Sequence, residues 1–316
     1  MNFDFAPAEK RTFYFIGVTT GKSSIMKVFP AWARHLGLGD CPIRGIDCKW
    51  HDDPEVYRKV VRFLKHDELS LGALVTTHKL DLLKAARDEF DWLDPHATRL
   101  DEVSCISKRD GQLRGHAMDP ITSGLSFDAI KPAEYWGESG AGICLLGAGG
   151  SSLALTLSLA QRPADQRPSA IYVTNRSEKR LNEMKAVHAA MDFPIPVEYY
   201  LCPTPPENDR VVAKLREGSM VVNATGLGKD APGSPLTDAA EFPLNGIAWE
   251  FNYRGDLVFM DQARAQKEAK NLTIEDGWVY FLHGWLSVIA EVFNIDIPSE
   301  GPEFEELGRI AAETRK

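Results

Sequence analysis

The sequence predicts an α/β protein of two domains, and three observations carry that reading. Apolar strand-like runs alternate with amphipathic helical runs from residue 12 onward. The alternation breaks near residue 103 and restarts after about residue 132. The second series opens on an apolar run, a glycine turn and a helix, CLLGAGGSSLALTLSLA (Cys144–Ala160), the order a dinucleotide site requires. A length of 316 residues suits two domains. Strands separated by helices imply parallel βαβ units. Two such domains with a cleft between them is the simplest architecture.

In chain order, TFYFIGV (Thr12–Val18) reads as a strand and Ser24–Leu38 as a helix. IRGIDC (Ile43–Cys48) is a strand, and Asp53–Lys65 is a helix opened by Asp-Pro. Leu71–Thr76 is a strand, followed by a helix from about Lys79 to Phe90. Val103–Gly115 reads as a hairpin turning at Asp110-Gly111. In the second series the strands are Gly142–Gly147, Ala170–Asn175, Pro196–Leu201, Ser219–Asn223 and Gly246–Phe251. Helices follow the first two, to about Gln161 and over Glu178–Met191. Two last helices are expected at about Glu275–Phe293 and Glu303–Thr314.

Hydrophobic residues are 44% and charged residues 26%, an ordinary globular balance. The net charge is −9, from 36 basic and 45 acidic side chains, with no basic run. This argues against nucleic acid or an anionic membrane as partner and leaves a small-molecule substrate. The segment Trp278–Phe293 is too short and too polar to span a bilayer. The first fifteen residues lack the basic start and apolar core of a signal peptide. Five scattered cysteines without CxxC suit reduced thiols and a cytoplasmic location. No histidine pair has metal-ligand spacing, and neither GxSxG nor a Walker loop is present. No metal is expected.

In the glycine turn, Gly147, Gly149 and Gly150 remove side chains where backbone would approach a diphosphate, with Ala148 and Ser151 between and beside them. The following helix would present free N–H groups and its positive dipole end to that anion. Ser152 stands where the fingerprint has its third glycine, and a small residue still permits close packing. The next strand ends in Asn175-Arg176-Ser177 rather than in a carboxylate. A guanidinium there suits a 2′-phosphate, so NADP is expected and NAD less so. The alternative for Arg176 is a solvated helix start.

These residues, with others along the chain, resemble the shikimate dehydrogenase family from about Gly17 to Gly284. GVTTGKSS resembles the family's first substrate loop, GALVTTHK its lysine-bearing strand end and GHAMD its Asn-Thr-Asp segment. GAGGSS and NRS resemble its NADP loop and phosphate clamp. NATGLG resembles its segment beside the nicotinamide, EFNY its tyrosine segment and EDGWVYFLHG its final helix. The resemblance implies a substrate domain (residues 1–125), a Rossmann-type NADP domain (126–272) and C-terminal helices (273–316) that return to the first domain. It implies reversible hydride transfer between NADP and a ring alcohol or ketone. Lys79 and Asp119 would be the catalytic pair. Ser23, Thr76, Ser104, Tyr253 and His283 would contact substrate. Asn223, Ala224 and Thr225 would join Gly147–Ser151 and Asn175–Ser177 at the cofactor. Lys79 alone would read as a surface lysine, and Asp119 before Pro120 as a turn element.

The departures concentrate in the substrate pocket. Ser23 is kept, but Ile25 stands at the second serine, which Ser24 replaces only if the loop shifts. Leu74 and Ser104 stand where the family has asparagines. The usual Val-Pro-x-Lys is shortened to Thr77-His78-Lys79. Lys229 replaces a methionine, and Gly284, beside His283, replaces a glutamine. Lys22, His78, Trp278 and Trp285 join Tyr253 and His283 as candidates for a redecorated pocket, against core packing for most of the aromatics. Missing hydrogen-bond partners reject a ligand that needs them. The expected substrate is therefore a small alicyclic hydroxy acid of shikimate, quinate or aminoshikimate type. A non-catalytic sensor on the same fold and an NAD-using catabolic relative are the alternatives, and a homodimer is an open assembly state.

Overall fold

The computed structural model describes residues 4–314 apart from 230. In chain order the elements are β1 (Thr12–Gly17), α1 (Ile25–His35), β2 (Ile43–Asp47), α2 (Pro54–His66), β3 (Ser70–Val75), α3 (Lys79–Ala86), β4 (Trp92–Leu93), α4 (Pro95–Leu100), β5 (Cys105–Arg109) and β6 (Gln112–His116). Then come α5 (Asp119–Ile130), α6 (Glu134–Ser139), β7 (Ile143–Leu146), α7 (Gly150–Ala160), β8 (Ile171–Asn175), α8 (Glu178–Ala189), β9 (Val197–Leu201) and α9 (Pro205–Val212). The chain finishes with β10 (Met220–Asn223), β11 (Ile247–Glu250), α10 (Val258–Lys270), β12 (Thr273–Glu275), α11 (Trp278–Phe293) and α12 (Pro302–Thr314). The chain forms two compact units. One is the chain up to Asp119 together with everything from Leu282 on; the other is Pro120–Phe281. The expected fold class holds, including the C-terminal helical segment that groups with the first unit.

The first unit is built on a six-stranded sheet in the order β2-β1-β3-β5-β6-β4. β1 pairs parallel with β2 and β3, as the βαβ reading requires. β3 pairs antiparallel with β5, and β5 with β6, because the hairpin reverses the chain. Its turn residues Asp110 and Gly111 both take left-handed φ, 53° and 75°, the geometry that a two-residue hairpin of this twist needs. One face buries Tyr14, Ile16, Val75 and Ile106 with Tyr57, Val60, Val61 and Leu64 of α2. Asp53 starts α2 by accepting from the Glu55 N–H at 2.8 Å, with Pro54 as first helical residue.

The second unit holds six parallel strands in the order β12-β11-β10-β7-β8-β9. That is the doubly wound order, with the reversal at β7. Alternate residues serve opposite faces. Ile143, Leu145, Ile171, Val173, Val222 and Trp249 enter one core, while Cys144, Leu146, Val221 and Ala248 enter another. Both faces are therefore covered, which explains why these strands read as near-continuous apolar runs.

Several elements differ from the sequence reading. The helix expected to reach Phe90 ends at Ala86 and passes into a 3-10 turn, Arg87–Glu89. The helix expected from Glu275 starts at Trp278, because Thr273–Glu275 pair with β11 as an edge strand. The strand β4 has only two residues, too few to show a period. The helix α5 carries Gly124 and several hydroxyl residues, poor helix formers. Close packing decides it, since a Cβ on Gly124 would meet Ser158 Oγ of α7 at 2.1 Å.

Candidate active site

In the first unit the site begins where β3 ends. The Thr76 N–H donates to Ile16 O at 3.0 Å, and His78 N–H to Thr76 O at 2.6 Å. Between them Thr77 sits at φ 68°, a left-handed conformation that β-branched residues avoid. This strained residue makes the shortened turn and delivers Lys79 to the first turn of α3. His78 is buried, with its Nδ1 at 3.1 Å from the Tyr57 hydroxyl. Burial pulls its imidazole below the ordinary histidine range, backbone carbonyls of Gly17 and Cys48 opposing.

Lys79 Nζ donates to a carboxylate oxygen of Asp119, and the two side chains are 21% and 19% exposed. The pair is thus sheltered yet reachable. Ser104 brings it together. Its carbonyl accepts from Val75 N at 2.8 Å, at the end of the lysine strand. Its N–H donates to His116 O at 2.9 Å, and its hydroxyl accepts from Met118 N at 2.8 Å, one residue before Asp119. Ser104 is buried and its hydroxyl is committed to this bridge. Burial opposes a charge on Lys79, but Asp119 and Glu102 outweigh it, so its ammonium is held above the usual lysine range.

Glu102 was not foreseen. It is 8% exposed. Burial raises its carboxyl to about 7, with Lys79 lowering it and Asp119 raising it further. The only hint in the sequence is a second acid in Asp101-Glu102 directly before an apolar strand.

Around the first loop, the hydroxyl and N–H of Thr20 both donate to Asp47, at 2.6 and 2.8 Å. Gly45 makes room, since a Cβ there would meet Thr20 Oγ1 at 1.9 Å. The loop so held carries Lys22, exposed, and Ser23 and Ser24, half-buried. Ile25 is wholly buried, so no hydroxyl faces outward at that place. Thr76 and Thr20 flank Gly17, where a Cβ would meet their methyl groups at 3.2 and 3.3 Å. His283 lies in α11 with its ring stacked on Phe304, centroids 4.6 Å apart. Burial pushes its imidazole down to about 4. Trp285 packs edge-on against Phe13 and Phe15, a core role.

In the second unit the glycine turn lies between β7 and α7. Gly147 takes φ 115° and abuts the next segment, since a Cβ would meet Ala224 O at 2.9 Å. Ala148 is buried and Ser151 half-buried, whereas Gly149 and Gly150 are exposed, and a Cβ on Gly149 would meet nothing. The first turn of α7 has no side-chain cap, so its N–H groups are free for an anion. Ser152 turns its hydroxyl inward to Gly147 O at 2.6 Å. Asn175 and Ser177 are half-buried and Arg176 is exposed at the end of β8. Ser177 is the N-cap of α8.

Asn223 is wholly buried, and its Oδ1 accepts from Thr225 N at 3.1 Å and Thr225 Oγ1 at 2.6 Å. Its Nδ2 donates to Glu250 at 2.6 Å. Glu250 also accepts from Asn252 N at 2.8 Å and Asn252 Nδ2 at 2.6 Å. Burial raises the Glu250 carboxyl to about 7 despite these donors. Glu250 too was missed, although an acid closing the apolar run IAWE was visible. Tyr253 rests on Phe281, centroids 4.7 Å apart, and edge-on against Trp278.

A shikimate dehydrogenase (NADP(+)) of Thermus thermophilus is 28% identical over 202 residues, 63% of this chain and 64% of that protein. The crystal structure of shikimate dehydrogenase from Aquifex aeolicus superposes with a TM-score of 0.72 at 18% identity, covering 97% of this chain and 99% of that one. The chain is similar in sequence to shikimate dehydrogenases and shares their fold. The 5-ketofructose reductase of a Gluconobacter strain superposes with a TM-score of 0.69 at 16% identity, covering 96% of this chain and 99% of that one. At such identities the solved structures establish the fold. The chain spans 64% of the length of the Thermus shikimate dehydrogenase in the matched segment. No profile of a known protein family matches the sequence.

Proposed function

We propose that the protein is an NADP-dependent oxidoreductase of shikimate dehydrogenase type. It interconverts a ring alcohol and ketone of a small alicyclic hydroxy acid, of shikimate, quinate or aminoshikimate kind. The Lys79–Asp119 ion pair carries this reading, because a sheltered ammonium held by a carboxylate is what carbonyl reduction asks of a protein. The glycine turn, the uncapped first turn of α7 and exposed Arg176 fit a dinucleotide phosphate. Gly147–Ser151 would receive the diphosphate, Asn175–Ser177 the 2′-phosphate, and Asn223–Thr225 the nicotinamide end.

When bound, the nicotinamide supplies or takes up the hydride. Lys79 does the rest. In reduction, its ammonium hydrogen-bonds the carbonyl oxygen and gives that oxygen a proton as charge develops. The N–H bond breaks as the O–H bond forms. Asp119 keeps the ammonium aimed, and solvent restores its proton. Thr76 and the loop of Ser23 would orient the ring, with Ser104 holding the pair in register. His283 in the first unit and Tyr253 in the second are proposed as secondary substrate contacts. Unpaired, buried cysteines fit a cytoplasmic setting.

The test is reduction of NADP with a panel of cyclic hydroxy acids including shikimate and quinate. Turnover with one of them, at a kcat/KM larger for NADP than for NAD, is expected. Tight NADPH binding without turnover on any would overturn the enzyme reading, and a preference for NAD would overturn the role of Arg176.

A further inference from the structure

Two acids adjoin in sequence just before β5, and the structure uses them differently. Asp101 is exposed and paired with Arg87 at 2.6 Å. Glu102 is turned inward and buried. Its segment is fastened to the lysine turn, since Val103 N donates to Lys79 O at 3.2 Å. Two residues on, Ser104 bridges the end of β3 and the residue before Asp119. The charged groups facing Glu102 are Lys79, on the first turn of α3, and Asp119, on the first turn of α5. The ammonium is bonded to Asp119 and also lies within the field of the buried Glu102 carboxyl.

We propose that Glu102 is a positioning residue whose carboxylate controls how readily Lys79 gives up its proton. The inference rests on the reading of Lys79 as the proton donor. With Glu102 ionised, the ammonium faces two negative charges and holds its proton more tightly. Proton delivery to an alkoxide is then slower. With Glu102 protonated, only Asp119 holds Lys79, and proton delivery is faster. Glu102 takes its own proton from solvent water and returns it there, so no further reactant is needed. Its carboxyl titrates near neutrality because burial disfavours the charged form. The rate of proton delivery by Lys79 then depends on pH around 7.

Two readouts on the full chain decide this. The first needs no substrate. Protein labelled with 13C at the glutamate carboxyl is titrated by NMR, and the Glu102 resonance is identified by its loss in E102Q. An inflection near 7 is expected. It should move up by about one unit or more in K79M and down in D119N. An inflection in the ordinary carboxylate range, or one that K79M leaves in place, overturns the proposal. The second is the pH profile of kcat for shikimate oxidation by NADP. An inflection near neutrality in wild type should vanish in E102Q and return in E102D, with KM for shikimate changed less than about threefold. Its persistence in E102Q overturns the proposal. Should wild type not turn shikimate over, that result counts against the functional reading, and the carboxyl titration alone decides the role of Glu102.

Discussion

The two candidate regions are built from different materials. The Lys79 region is charged and made of side chains: an ion pair, a buried second carboxyl and a turn strained at Thr77. The glycine region is made of backbone. The anion site proposed there is the bare first turn of α7, and its shape comes from the missing side chain of Gly147 against Ala224. A backbone site depends on little more than glycine positions and a following helix. A side-chain site depends on every residue that aims or charges it. This explains where the sequence departs from the family pattern: the glycine turn is nearly intact, while the lysine turn is shortened and its surroundings are exchanged.

The comparison is tested most severely at Lys79. K79A should lower turnover by about 10³-fold or more while NADPH affinity, read by fluorescence titration, stays within about twofold. A comparable loss of NADPH binding would show that the regions are not separable in this way. The converse is G147A. A Cβ at φ 115°, 2.9 Å from Ala224 O, should cost about 2 kcal/mol of stability and weaken NADPH binding. Thermal unfolding and the same titration check it, and unchanged values would mean the turn tolerates a side chain.

Linkage to pH should separate the buried groups. Glu102 and Glu250 are both raised to about 7 from 4.5. Their contribution to stability is complete below about 4.5 and is lost as pH rises through 7. His283 and His188 are pushed down to about 4 from 6.5, and their contribution is lost as pH falls through that window. The two windows overlap from about pH 4.5 to 6.5, where the opposite slopes cancel, so wild-type stability measured by denaturant should be nearly flat there and fall on either side. From pH 4.5 to 7.5, E102Q should gain on wild type by on the order of 2 kcal/mol; a parallel dependence would place Glu102 in water. The smallest effect is expected for T77G. Relief of the left-handed threonine is offset by the freedom glycine gains when unfolded, leaving a net rise of at most about 1 kcal/mol. A marked loss of stability would mean that the Thr77 side chain makes contacts the turn needs.

Legibility followed the same division. Every strand of the second sheet but β12 was readable, because a sheet covered on both faces demands continuous apolar runs. The hairpin was readable from Asp110-Gly111. The antiparallel insertion of β5 between β3 and β6 was not, since pairing across the sheet leaves no mark in a local period. Lys79 and Asp119 could be named as a pair from family order, although nothing local to either residue marks a partner forty positions away. Glu102 and Glu250 escaped because an acid before or after an apolar run looks the same whether it faces water or the core.

By itself the sequence determined the two α/β series, the glycine turn, the basic residue after β8 and the candidates at 79 and 119. Those features are local: periodicity, turn chemistry and residue type at fixed spacing. Only the tertiary structure decided which charges meet. It turned Asp101 outward to Arg87 and buried Glu102, and it spent the Ser104 hydroxyl on the backbone before Asp119. The physical reason is that burial sets the strength of a charge, and burial is a property of what packs around a residue.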